Sequence, residues 1–600
     1  MRTYQDVVYD TYKETAMAMG LLSDDNEIIF AMEETNLFGN ASKLRNLFAM
    51  FLKHGEVTRP LQIFEQFKDD LMSDLLYEKR KESADISVSL VENDCLIQLD
   101  DILLDMGSCM AEFPELPQPD YSLQVTPETR AFQRERYDQT DQMDKLDDLT
   151  QKLANNADQS RIYEEITRAI LTGTNQQYVV NAAGGCGKSF LFECLAANQR
   201  RRGPIALCCA STGIAAWNLE GGRTAHSTFK IPIELDADST RSLKVQSSEA
   251  AVIREAKLII WDEIFNVHQH AIMVVERLLR DLMGNDLPWG GKVVVFGGDP
   301  RQTPPVVKKG KRAEAVAASF KSCPLYTGFK EFKLAKNMRN TDNDQAFCDW
   351  LLSIGDGLIE TNDDDQIKIP KKHLVGSKMD LIEKTFPNLE QNDKEQFIKS
   401  GIYCPMNNDV WDINQICLNK LPGESKTYLS WDRVVDDNHL QAPTELLNSR
   451  KPSGFPDHNL ILKVGAPIML LRNLQNGLVN GTRMIVRRLH KKVLECEVMV
   501  GKLKGEIVFI PRIPMYDRSN DFPWTMVRLQ FPVRLCFAMT IHKSQGQSMD
   551  RVGVYIGSRI FAHGQLYVAL SRPKTADGLK VYIEGNELDL VQNIVYYEIL

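Results

Sequence analysis

Two hydrophobic patterns divide the chain. Up to about residue 113, apolar residues recur at helical spacing, as in Leu44, Leu47, Phe48 and Phe51 and again in Leu61, Phe64, Phe67 and Leu71. This predicts a mostly α-helical segment over 1–113. The run Phe113-Pro-Glu-Leu-Pro-Gln-Pro-Asp120 interrupts it, and the charged stretch Thr126–Asp148 predicts a solvated helix, so 114–150 reads as linker and helix. From about Asn155, short apolar runs alternate with helical stretches: Tyr178–Val180, Ile205–Cys209, Leu258–Trp261 and Val293–Phe296. A second set follows at Ile402–Cys404, Val552–Ile556 and Leu579–Ile583. Strands separated by helices predict an α/β fold of parallel sheets with crossover helices. Between the last runs, Met484–Ile510 is rich in Val and Ile and broken by Gly501 and Gly505, which predicts a small antiparallel β insertion.

The chemistry gathers at the ends of these runs. Ala182-Ala-Gly-Gly-Cys-Gly-Lys-Ser189 follows an apolar strand and opens a helix, the context a phosphate loop requires. Gly184, Gly185 and Gly187 let main-chain N–H groups curl around phosphates, and the helix N-terminus adds partial positive charge. Lys188 would reach the β- and γ-phosphates of ATP, and the Ser189 hydroxyl would hold magnesium. Ala182 replaces the usual first glycine, and Cys186 reads as a small loop residue. Leu258-Ile-Ile-Trp-Asp-Glu263 delivers two carboxylates to a strand end: Asp262 for magnesium and Glu263 to orient and deprotonate water. Gln302, in Phe296-Gly-Gly-Asp-Pro-Arg-Gln-Thr-Pro305, follows a strand and tight turn where it could sense the γ-phosphate. Ala210-Ser-Thr-Gly-Ile-Ala-Ala216, with Thr212, and Gly222-Arg-Thr-Ala-His-Ser-Thr-Phe229 carry small hydroxyls beside a histidine and an aromatic, groups suited to phosphate contacts and base stacking.

Charge changes the picture more than composition does. With 600 residues, 43% hydrophobic and 25% charged, the chain is long enough for three or four domains. Its net charge of −10 looks wrong for a nucleic-acid binder, yet residues 1–150 carry 14 Lys+Arg against 31 Asp+Glu, and the remainder 57 against 50. The mildly basic part can carry a positive groove, while the acidic front suits a protein contact or a spacer. No apolar run approaches the roughly 18 residues of a membrane span. The acidic first 30 residues argue against a secretory signal or mitochondrial presequence. Twelve cysteines without a Cys-x-x-Cys pair read as reduced packing residues of a soluble intracellular protein.

Taken in order, these segments, with Thr540-Ile-His-Lys-Ser-Gln-Gly-Gln547 and Tyr567-Val-Ala-Leu-Ser-Arg572, resemble the motif set of superfamily-one helicases, more closely the PIF-type group. Closer still is a resemblance to the helicase region of Helitron rolling-circle transposases, carried by Ser453–His458, Leu470–Leu474, Gly477–Arg483, Phe509–Ile513, Gln530–Val533 and His563–Arg572. It covers about residues 155–585. It implies two RecA-like domains, 151–335 (with a small insertion near 230–250) and 336–474 plus 534–600, and a β-barrel-like insertion over 475–533. It further implies that Gln159 recognises adenine, that Arg339 and Arg572 reach the γ-phosphate, and that His226, Thr228, Phe229, Thr540, His542 and Ser544 line a single-strand path. Ile264–Leu282 occupies the place of the group's signature element. The implied activity is an ATP- and magnesium-dependent 5′→3′ DNA helicase acting on single strands and duplex junctions, nuclear, in transposition or in replication, repair or recombination.

A complete Helitron transposase also carries a nuclease with a His-hydrophobic-His motif. The nearest match here, His268-Gln-His270, has a polar centre and reads as a solvated helix face. A nuclease in the same or another chain is therefore the implied partner. Two other classes compete with a translocating helicase: a clamp that uses ATP only as a switch, and, for 1–113 alone, an interaction scaffold.

Overall fold

The computed structural model describes residues 3–4, 7–8, 25–82, 87–122, 135, 137–203, 205–232, 243, 245–307, 310–336, 338, 345–391, 393–435, 442–475, 477–501, 503–517, 522, 524–557, 559–585 and 589–600. They form two compact units, one from Met1–Gln124 with Leu418–Cys536, the other from Val125–Cys417 with Phe537–Leu600.

The first unit joins helices to antiparallel sheets. The helices are α1 (Asn26–Phe38), α2 (Ala41–His54), α3 (Pro60–Glu82) and α4 (Val88–Asp105). Leu44, Leu47, Phe48 and Phe51 of α2 are all buried, as helical spacing predicts; on α3, Phe64, Phe67 and Leu71 are buried but Leu61 faces outward. Asn40 caps α2 by accepting from Lys43 N–H at 3.0 Å. A five-stranded antiparallel sheet runs in the order Ile507–Pro511, Val493–Val498, Arg483–Leu489, Pro467–Leu470, Val533–Leu535. Beside it Trp431–Val435, Thr525–Gln530 and Ile513–Asp517 form a second sheet, and Ser425–Leu429 pairs with Asn459–Lys463. The β segment thus begins near 425 rather than at the expected 475, because these antiparallel pairings draw 425–470 away from the parallel sheet. Arg528 anchors it: fully buried, its guanidinium meets Asp432 at 2.9 and 2.7 Å and the carbonyls of Leu447, Pro456 and Arg450 at 3.0 to 3.2 Å. A buried cation is tolerated when its donors are met in this way.

The second unit holds two parallel sheets. The strands of the first are β1 (Gln177–Ala182), β2 (Ala206–Ala210), β3 (Arg223–Thr224), β4 (Leu258–Asp262), β5 (Val293–Gly298) and β6 (Phe329–Leu334), in the spatial order β3-β2-β4-β5-β1-β6. Strands β1, β2, β4 and β5 are buried at every position, as a sheet covered on both faces requires. The second sheet orders β8 (Ala538–Thr540), β7 (Ser400–Cys404), β9 (Arg551–Ile556) and β10 (Leu579–Ile583), again all parallel. These are the alternating runs the sequence predicts. Of the polar helix expected over 126–148, residues 126–134 and 136 lie outside the described residues; the later part falls in α5 (Gln139–Leu153), which is not solvated all round, since Leu146, Leu149 and Leu153 pack on Cys194 and Ala197. Next come α6 (Ala157–Thr172) and α7 (Lys188–Arg200). The expected insertion near 230–250 lies mostly outside the described residues. No disulfide joins the cysteines, and among the described residues no helix is long and apolar enough to cross a membrane.

Candidate active site

Strands β1 and β4 end on the same edge of the first sheet with β5 between them, so the loop after β1 and the carboxylates ending β4 meet. The loop after β1 turns sharply. Gly185 and Gly187 sit at φ +93° and +79°, conformations that glycine adopts without strain. A Cβ on Gly187 would lie 2.2 Å from Gln159 Nε2, whereas Gly184 faces open space. Helix α7 then starts at Lys188, with Ser189 half-buried in its first turn. Cys186 is buried with its thiol 3.8 Å from Ala335 O, and burial pushes its pKa up to about 11. It packs as a buried neutral thiol.

Gln159 sits beneath the loop. Asn156 caps α6 by accepting from Gln159 N–H at 3.2 Å, and the Gln159 amide donates to the carbonyls of Cys186 and Gly187 at 3.2 and 3.3 Å. Met338 N–H donates to Gly185 O at 2.9 Å, so the segment after β6 crosses the same loop. The next residue, Arg339, lies outside the described residues.

Lys188 forms an ion pair with Asp262 and stands 3.5 Å from Glu263. Burial would lower the lysine pKa, but Asp262 and Glu263 outweigh it and the net shift is upward. For Glu263, burial raises the pKa, opposed by Lys188 and Arg572. Glu263 also occupies the left-handed region at φ +55°. Ser211 holds it there, donating its hydroxyl to Glu263 O at 2.6 Å. Ser211 was not singled out in the sequence; its position just beyond β2, beside the acidic strand, was the available signal.

The loop after β5 carries Gln302, buried, with Oε1 lacking a hydrogen-bond partner. The same loop fastens the second sheet. Tyr567 donates to Asp299 at 2.7 Å, Arg301 Nε meets Asp356 at 2.7 Å, and His563 Nε2 donates to Pro300 O at 3.1 Å. His563 Nδ1 accepts from Tyr596 N–H at 2.8 Å, which fixes the tautomer; burial lowers its pKa, so the ring is neutral. Gln545 donates to Thr303 at 2.7 Å. Motif reading alone did not reveal these linking roles. Arg572 is buried, with its guanidinium on the carbonyls of Val568 and Gln547 at 2.9 and 3.3 Å.

The residues expected to line a strand divide. Thr212 caps a short helix, accepting from Ala215 N–H at 3.2 Å, while His226 is exposed and Thr540 and His542 are half-buried. Three others are buried. Phe229 is fully buried with its ring 6.0 Å from that of Trp261, Thr228 is buried and donates to Thr224 O at 3.1 Å, and Ser544 is buried and donates to Ile541 O at 2.7 Å. Their side chains serve the core and local turns. His268 is a helix cap whose Nδ1 accepts from His270 N–H, and no metal-ligand cluster exists among the described residues.

A phosphate loop, an acidic strand end, and two parallel sheets joined through the loop after β5 define the class of two-sheet, RecA-like nucleotide-binding proteins. Within it, residues 154–365 match the family model described as PIF1-like helicase, and residues 445–489 match that of the 2B domain of DNA helicase Pif1. The chain is similar to the ATP-dependent DNA helicase PIF1 of Homo sapiens, 29% identical over 431 residues, covering 69% of this chain and 59% of that protein. It is 28% identical over 420 residues to ATP-dependent DNA helicase Pif1 of Bdellovibrio bacteriovorus, covering 69% and 86%. It spans about 60% of the length of the vertebrate relatives. Among solved structures, Bacteroides Pif1 bound to ssDNA superposes with a TM-score of 0.52 at 26% identity, over 70% of this chain and 91% of that one.

Proposed function

We propose that this chain is an ATP-dependent DNA helicase that moves 5′→3′ along single-stranded DNA and opens duplex junctions. The carrying observation is the Lys188–Asp262–Glu263 cluster on the first sheet, with Arg572, beyond the helix Gln565–Leu570, near enough to oppose part of the burial-driven rise in the Glu263 pKa. The residues fit a nucleotide and its metal: the loop beside Gly184 is open, and Gln302 keeps an unpartnered buried oxygen.

In this reading Gly184–Ser189 hold the phosphates and Lys188 exchanges its carboxylate partners for phosphate oxygens. Ser189 and Asp262 would hold magnesium, which supplies neutralising charge at the phosphates. Glu263 takes the proton of the attacking water; its burial-raised pKa suits a group that must accept one. Gln302 orients that water, Gln159 contacts adenine, and Arg339 and Arg572 stabilise transferred charge. Tyr567, Arg301 and His563 couple the sheets, so closure on ATP and opening after hydrolysis displace the strand held near Thr212, His226, Thr540 and His542.

The test is an unwinding assay on duplexes with a 5′ or a 3′ single-stranded tail, with Lys188→Ala and Glu263→Gln as controls. We expect unwinding with the 5′ tail, strand-stimulated ATP hydrolysis and loss of both in the variants. Unwinding that survives Lys188→Ala rules the mechanism out.

The finer placement beside Helitron transposases rests on the sequence segments quoted above. It carries with it a nuclear location, a nuclease partner, and a role in transposition rather than in repair or recombination. Co-purification of a strand-nicking activity with the tagged chain from nuclei tests it; a chain confined outside nuclei counts against it.

A further inference from the structure

The first compact unit is divided in charge. Residues 1–124 carry 10 Lys+Arg against 24 Asp+Glu, and residues 418–536 carry 18 against 11. The two signs meet at the tip of the hairpin between strands Arg483–Leu489 and Val493–Val498. There the successive main-chain N–H groups of Lys491, Lys492 and Val493 all donate to the Glu34 carboxylate of α1, at 3.0, 2.7 and 3.3 Å. Consecutive N–H groups converging on one anion form a nest, a concavity selective for oxyanions. Glu27, two turns earlier on the same helix, pairs with the Lys492 ammonium and stands 3.9 Å from Arg512 Nε. That last contact is incomplete: Glu27 Oε1 and Arg512 Nε are both buried without a hydrogen-bond partner. The pocket therefore offers one more donor than the two carboxylates satisfy. Phe38, stacked on His490 at 4.5 Å, closes one side.

We propose that the hairpin tip Lys491–Val493, with Lys492 and Arg512, is a binding site for a nucleic-acid phosphodiester, and that Glu27 and Glu34 of the acidic segment occupy it as a displaceable carboxylate stand-in. The proposal rests on the nucleic-acid reading above. A main-chain nest flanked by two cations contacts no base, so the binding is independent of sequence. Displacing the carboxylates lets a phosphate satisfy Arg512 as well, and the acidic segment sets how readily the β region takes up a strand.

The experiment compares the full chain with its Glu27→Gln/Glu34→Gln variant, measuring binding of a fluorescent deoxythymidine oligomer without nucleotide over a salt series. The variant is expected to bind several-fold tighter at low salt, with the slope of log K against log salt steeper by about 0.7–1.4, the share of one or two phosphates. Amide exchange at residues 488–493 should slow when the oligomer is added. Single Glu34→Gln, which keeps an acceptor for the nest and so the fold, should give the smaller half of that change. Unchanged affinity and slope in both variants overturn the proposal, as does a gain that persists after adding Lys492→Glu, since it would then come from general charge. Because the readout is binding and not unwinding, loss of the helicase reading shows separately, as absence of strand-stimulated hydrolysis in the unaltered chain.

Discussion

The hydroxyl of Ser211 donates to the main-chain oxygen of Glu263 at 2.6 Å, and Glu263 sits at φ +55°. A non-glycine residue in the left-handed region costs on the order of 1–3 kcal/mol and persists where its surroundings hold it. The strain aims the carboxylate back toward Lys188, which it approaches to 3.5 Å. Ser211→Ala is thus expected to lower kcat for ATP about five- to tenfold, the worth of roughly 1 kcal/mol of hydrogen bonding, with nucleotide affinity nearly unchanged. Steady-state hydrolysis with a parallel nucleotide-binding titration checks this; equal loss of affinity and kcat would place Ser211 in binding instead.

Gly564 packs directly against the main chain of Arg301 and Gln302 in the loop after β5. It lies at φ +67°, and a Cβ there would meet Arg301 O at 2.1 Å. Gly564→Ala must push the loop after β5 away from Tyr567 and His563, a cost of about 1–3 kcal/mol for overpacking. Nucleotide binding to the first sheet should survive, while strand-stimulated hydrolysis falls by about tenfold or more. Stimulation equal to that of the unaltered chain would show that this contact does not couple the sheets.

Phe229 belongs to the core formed with Trp261. Phe229→Ala is expected to destabilise the second unit by about 3–5 kcal/mol, the usual cost of emptying an aromatic site. A denaturant titration measures it. A normally stable variant with weakened strand binding would restore the stacking role.

Lys292 is buried with its ammonium on Arg254 O and Ala256 O, both at 2.8 Å, and burial lowers its pKa from 10.5 to about 8. Between those values the unfolded chain holds more protons than the folded one, so stability rises with pH across that window. Below pH 8 both states are protonated and the penalty for the buried charge is fully present. The rise is at most about 3 kcal/mol at 1.36 kcal/mol per unit. Lys292→Met should lack it, so the stability difference between unaltered chain and variant should slope upward from about pH 8 to pH 10. A flat difference removes the assignment.

The candidate nucleotide site can be read from local signals. Glycines at fixed offsets before Lys188, and an apolar strand ending in Asp262 and Glu263, each declare a strand-loop-turn geometry without reference to the rest of the chain. The alternation of strand-length runs with helices gave the parallel sheets for the same reason. Gln302 too could be placed from its turn, and it lies in the loop expected.

Where a side chain points was another matter. Phe229, Thr228 and Ser544 stand in segments whose composition suits a strand, and all three turn inward, because burial depends on which elements close over a residue. The pairings of Ser211 with Glu263, Tyr567 with Asp299 and Glu34 with the 491–493 hairpin join residues 52, 268 and more than 450 positions apart. Sequence by itself determined the elements and the glycine-rich loop before Lys188, since both rest on local periodicity and backbone conformation. Tertiary structure alone decided which carboxylate meets which cation and which ring fills the core, since those energies arise from contacts between segments the chain order keeps apart.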